Sequence, residues 1–204
     1  SPQTPVKADL QAQIAIGDIV TLFPQYSEYT RGLLLSSCLQ SHISLYGELG
    51  DLHLKEGDVT LPEAFVCQAT GNVQNLTQTD RLQGNLAWEV KLKESPIFAN
   101  VIPDSLRHRI HIPPTRFSGK ARLTPATIRT KAILEAGDGV LTLLARLNPN
   151  RELYEGDISI DRFPLSLYLP HDFLGNLSAS IRFAGKHYNP TDSAMYASAE
   201  LTVD

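Results

Sequence analysis

The chain has 204 residues, 42% of them hydrophobic and 20% charged, a balance that supports a packed fold and excludes a disordered chain. Its formal net charge of -4 argues against a nucleic-acid binder, which needs a basic face to displace counterions. Two cysteines, Cys38 and Cys67, are too few for a disulfide framework or a structural zinc site, and no run of eighteen apolar residues offers a membrane-spanning helix.

In chain order, Ser1 is not an initiator Met, and Asp204 interrupts an alternation of Met195, Ala197, Ala199, Leu201 and Val203. The expectation is a segment of a longer protein, whose leader or anchor would lie elsewhere. Ile14 and Ile16 alternate as in a strand. The next segment, Gly17-Asp-Ile-Val-Thr-Leu-Phe-Pro24, clusters apolar residues at helical spacing behind Asp18 as a cap. Strands are expected over Leu33 to Leu45, which contains Cys38, and over Phe65 to Val73, which contains Cys67. Leu52-His-Leu54 alternates between them. Gly47, Glu56-Gly57-Asp58 and Gly71-Asn72 read as turns.

The clearest alternation is Leu86-Ala-Trp88-Glu-Val90-Lys-Leu92, with its apolar side chains on one face and Glu89 and Lys91 on the other. A second helical segment follows, from Ser95 as cap to Pro103. After turn signals at Gly137-Asp138-Gly139 and Asn148-Pro149-Asn150, the alternation Ile158-Ser-Ile160 leads into a third, from Asp161 as cap to Pro170. Leu177-Ser-Ala179-Ser-Ile181-Arg-Phe183 is a further strand, closed by a turn at Asn189-Pro190.

Three times, then, a strand runs into a short capped helix that ends at a proline, which a helix interior does not tolerate. The closing prolines, Pro24, Pro103 and Pro170, lie 79 and 67 residues apart. Recurrence at unequal spacing predicts a repetitive β architecture growing along one axis, with units 10–92, 93–160 and 161–204 of one segment spanning 1–204. The expected fold is all-β and mainly antiparallel, with two or three short helices. Too few helices exist to cover so many one-sided strands, so the sheet is expected to curl as an open, elongated half-barrel with an apolar concave face. Leu52, Leu54, Leu86, Trp88, Val90, Leu92, Phe117, Leu141, Leu143, Ile158, Ile160, Ile181 and Phe183 are the candidates to line that face.

Catalytic chemistry finds no footing here. His108 and His111 would face opposite sides of a strand, His171-Asp172 follows a proline in a turn, and His42, His53 and His187 are isolated in alternating strands. No nucleophile elbow, phosphate-binding loop, dinucleotide fingerprint or zinc-protease motif occurs, so no enzyme, metal or cofactor is expected. Asn75-Leu-Thr77 and Asn176-Leu-Ser178 match the glycosylation pattern, a short motif that chance supplies often.

Several phrases, taken in order, resemble the C-terminal domain of the TamB-like proteins, within the wider AsmA-like group. They are Leu49-Gly-Asp51-Leu-His-Leu54, Phe65-Val-Cys-Gln-Ala69 with Gly71-Asn-Val73, and Ile110-His-Ile-Pro-Pro114. Phe117-Ser-Gly119, the Asp-x-Phe-Pro-Leu of Asp161 to Leu165, and Gly175-Asn-Leu-Ser-Ala179 running on to Gly185 and Tyr188-Asn-Pro190 complete the set. The resemblance implies a periplasmic segment of an inner-membrane-anchored parent that supports outer-membrane biogenesis, by conducting phospholipid or assisting outer-membrane protein assembly along an apolar groove. Its implied partners are phospholipid acyl chains in an apolar groove and, through the parent, a BamA-like outer-membrane barrel. Contact with the membrane would come only through other parts of that parent. The alternatives are a non-catalytic β-sandwich module that binds carbohydrate or acts as an adhesin, and a purely structural spacer. One Trp and seven dispersed Tyr make a poor sugar platform.

Overall fold

A computed structural model of the chain describes residues 5–27, 30, 33–48, 50–76, 78–95, 97–98, 102, 105–106, 109–169, 175–187 and 194–203. Among them eleven strands form one antiparallel sheet: β1 (Pro5–Ala15), β2 (Cys38–Glu48), β3 (Asp51–Leu61), β4 (Phe65–Gln74), β5 (Gln83–Leu92), β6 (Thr115–Leu123), β7 (Ile128–Ala136), β8 (Gly139–Asn148), β9 (Leu153–Pro164), β10 (Asn176–Lys186) and β11 (Tyr196–Val203). Spatial order equals chain order from β1 to β11, so the sheet is a continuous meander with two free edges. It is all-β and open, and among the described residues two short helices, α1 (Ile16–Leu22) and α2 (Leu165–Tyr168), accompany it.

Local chemistry explains the meander. β7 and β8 are joined by Gly137 and Asp138 alone, with Ala136 paired to Gly139. Two-residue hairpins that match strand twist need positive φ, and Gly137 supplies it at 55°. The loop between β6 and β7 is closed by Thr124 and Thr127, whose side chains and backbones hydrogen-bond each other, the hydroxyl oxygens 2.9 Å apart.

Three predicted turns fall inside strands. Gly47 belongs to β2, Glu56-Gly57-Asp58 to β3 and Gly71-Asn72 to β4, all paired with their neighbours. At Glu56 the chain carries one residue more than its partners: Ser44 pairs with Glu56, while Leu45 pairs with Leu54. This bulge switches the parity of β3, so Leu52 and Leu54 share a face with Gly57, Val59 and Leu61. A second bulge in β9 is marked by Arg162 at φ 46°, between the pairs Ile160 with Ala179 and Phe163 with Leu177. Gly and charged residues signal a turn when read locally; here neighbouring strands supply the hydrogen bonds that keep the backbone extended.

The expected helix caps are corrected. α1 starts one residue earlier than Gly17, after Ala15, with no side-chain cap; Asp18 sits in its first turn. α2 starts after Pro164 without a side-chain cap, and Asp161 lies within β9. Of the second segment, residues 97 and 98 are helical, while 96, 99–101 and 103 lie outside the described residues. Also outside them are Leu49, Thr77, His108, Pro170, His171, Asp172, Tyr188, Asn189 and Pro190. The sheet runs unbroken through the expected unit boundary at 160/161, which falls inside β9.

Cys38 and Cys67 are free. β3 lies between their strands, β2 and β4. Register also puts Cys38, beside Leu39, and Cys67, beside Val90, on opposite faces. No rotamer brings such thiols within bonding reach.

Among the described residues, few hydrophobic side chains are buried. The best-formed core joins Ile16 of α1 with Leu61 and Ala64, and Leu39, Phe65 and Phe98 pack against it. α2 stacks Tyr168 on Phe163, ring centroids 5.0 Å apart, and its hydroxyl meets Thr115 Oγ1 at 3.0 Å. Leu39, Leu61, Phe65, Thr115 and Phe163 all belong to one end of one sheet face. Both helices therefore cover the same end of that face.

Candidate functional site

Register carries the apolar alternation from strand to strand. One cross-strand row runs Ile43, Gly57, Ala69, Trp88, Gly119, Ala132, Leu143, Ile158, Ile181 and Leu201, from β2 to β11. The next row toward the helices contains Val59, Cys67, Val90, Phe117, Leu134, Leu141 and Ile160. On its other side lie Leu54, Leu86 and Phe183, and beyond them Leu52. All thirteen sequence candidates thus share one face. Leu92 is at the helix-covered end, paired with Phe65.

Large side chains on this face lie over small ones on the next strand. Trp88 covers Gly119, where an added Cβ would fall inside the indole, and it leans on Phe117 with ring centroids 4.7 Å apart. Phe183 covers Gly156, and Tyr154 covers Gly185, in the same way. The face is consequently smooth and only half-buried: Trp88, Val90, Leu143, Ile158 and Ile181 keep part of their surface open, and Leu86 is 42% exposed. Beyond the helix-covered end, no described element lies over it.

The opposite face is polar and ion-paired. Glu89 accepts from Lys91 Nζ at 2.9 Å and from Arg116 at 2.6 Å, and Arg116 also approaches Glu135 at 3.6 Å. Hydrogen bonds from Lys91 and then Arg116 hold the Glu89 carboxyl below the ordinary carboxylate range, and Glu89 holds the Arg116 guanidinium above its own. His42 is not isolated, as the sequence suggested. Its Nε2 is 3.1 Å from Asp9 and its Nδ1 3.8 Å from Glu56, with Asp58 close by. The bulge in β3 turns Glu56 and Asp58 to the face opposite Leu52 and Leu54, where strict alternation would have kept them together. The members of this His42 cluster are largely exposed and already hydrogen-bonded or ion-paired, as solvated surface groups are.

A depression of about 840 Å³ lies on this polar face. Its walls are two rows of wet-face residues, Thr70, Ala87, Lys120, Lys131, Leu144, Asp157 and Arg182 on one side and Asn85, Arg122, Arg129, Arg146 and Glu155 on the other. Leu86 and Phe183 contribute to its lining from the row between, whose side chains leave toward the apolar face. The sequence reading passed over this basic block. Its signal was present in Lys120-Ala-Arg122 and Arg129-Thr-Lys131, two alternating cationic pairs on either side of one short turn.

Chemically, the two faces differ. One offers an extended apolar surface, the other a strip of fixed charge. Comparison with family models, curated proteins and solved structures finds no match for the chain.

Proposed function

We propose that the apolar face is a path for phospholipid acyl chains, in a periplasmic segment of a TamB-like or AsmA-like envelope protein that supports outer-membrane biogenesis. The supporting observation is the apolar row that crosses the sheet from β2 to β11, over which, beyond one end, no described element lies. A methylene taken out of water gains about 0.8 kcal/mol. A long chain covered on one side by this face gains several kcal/mol without any directional contact, and it can slide because neighbouring positions are alike. The resemblance in sequence supplies the cargo and the address, including a BamA-like barrel as a partner of the parent protein. A single sheet rather than two packed sheets weighs against the sandwich-type binding module.

The test is mass spectrometry of organic extracts from native protein and from the double variant Trp88→Asp, Val90→Asp. If the face stays open, the new carboxylates remain hydrated and the variant folds, by circular dichroism, but carries no lipid. A desolvated ion on the path costs an acyl chain several kcal/mol. A variant that unfolds outright, because the face is a closed core, defeats the reading. So does a folded variant that keeps its lipid.

A further inference from the structure

The polar face holds a charge arrangement that folding by itself does not favour. Lys120 of β6 is directly opposite Lys131 of β7, and Arg122 is directly opposite Arg129. Like charges directly opposed across an antiparallel pair destabilise it. All four are exposed, and none has an acidic partner among the described residues. By contrast, the adjoining Arg146 and Arg182 are each matched to one carboxylate, Glu155 at 3.4 Å and Asp157 at 3.2 Å.

We propose that this block docks the phosphate-bearing head groups of an anionic lipid surface. The four cations stand at the corners of a rectangle about 5 Å across the strands and roughly 7 Å along them. That spacing brings two guanidinium forks and two ammonium groups onto neighbouring phosphates, and the forks can grip phosphate oxygens in pairs. Leu144 of β8, opposite Lys131, is 47% exposed in the same depression. An apolar side chain beside the cations suits an amphiphile; a free polyphosphate or a nucleic-acid backbone leaves it unused. The whole chain carries a net charge of -4 and is repelled by an anionic membrane. Attachment must therefore come from this local block, and removing it should abolish attachment rather than weaken it slightly. The proposal stands apart from the acyl path, because the two use opposite faces of the sheet.

Flotation of the protein with phosphatidylcholine vesicles, with and without phosphatidylglycerol, tests it. Only the vesicles containing phosphatidylglycerol should carry the native protein, and added salt should release it. The double variant Lys120→Gln, Lys131→Gln should lose about thirty-fold in partitioning, the factor that two cations contribute at an anionic membrane surface. Its melting temperature should be unchanged or higher, since a repulsion has been removed. Arg122→Gln with Arg129→Gln provides an independent pair with the same expectation. Equal flotation on both vesicle types, or variants that float like the native protein, overturns the proposal. Tighter capture of inorganic pyrophosphate or of a single-stranded oligonucleotide than of anionic vesicles overturns it too. Loss of flotation with the acyl-path reading intact, or the reverse, separates the two because Trp88 and Val90 lie on the other face.

Discussion

Gly119 is where a single missing side chain is most exposed to test. Its α-carbon lies under the Trp88 indole, and an added Cβ would also press on the Lys131 carbonyl. Gly119→Val should therefore expel the indole from its resting place and destabilise the protein by about 1–3 kcal/mol, the usual range for overpacking. Urea unfolding followed by Trp88 fluorescence reads both effects at once, since this is the one tryptophan in the chain. An unchanged midpoint and emission maximum would show that the ring does not rest on the glycine. Glu89 makes a different kind of contribution. Its carboxyl is held below the ordinary value of 4.5 in the folded state, chiefly by Lys91 and then by Arg116. A depressed pKa gives stability that is present above the unfolded value and lost as pH falls through the folded one. Stability of the native protein should thus fall as the pH drops below about 4.5, and Glu89→Gln should flatten that part of the curve and lower the plateau above it, the two curves converging at low pH. Parallel acid limbs for the two proteins, measured by thermal melting, would remove Glu89 from the account.

Among the elements, β11 and the interior strands differ in support. β11 is exposed along its whole length and pairs only with β10, whereas β7 is hydrogen-bonded on both sides by β6 and β8. Opening free energies follow such differences. Hydrogen exchange should empty β11 amides well before those of β7, and equal protection would mean that the edge is covered in solution. Alternation made most strands legible: Leu86 to Leu92 and Leu177 to Phe183 occur much as their pattern implies. Helix starts were less legible. Asp18 and Asp161 have the composition of caps, yet neither caps, because the backbone N–H groups at those points are committed elsewhere and Asp161 is still in the sheet. The two bulges were invisible for a related reason. An extra residue in one strand is defined by the partner strand, and no local window contains both.

At the scale of the molecule, eleven strands in sequential order at ~4.8 Å spacing extend about 50 Å. A compact chain of this length has a radius of gyration near ~17 Å. Small-angle scattering should give a larger value and an asymmetric distance distribution; a profile at the compact value would contradict an extended single sheet. Sequence alone determined the all-β class and the identity of the apolar positions, because side-chain direction alternates with a period of two and reports on its own strand. Only tertiary structure decided that Leu52 and Leu54 reach the same face as Trp88, that Cys38 and Cys67 cannot meet, and that like charges stand opposite one another across β6 and β7. Those facts depend on register, and register is fixed jointly by two strands through turns and bulges that link residues distant in the chain.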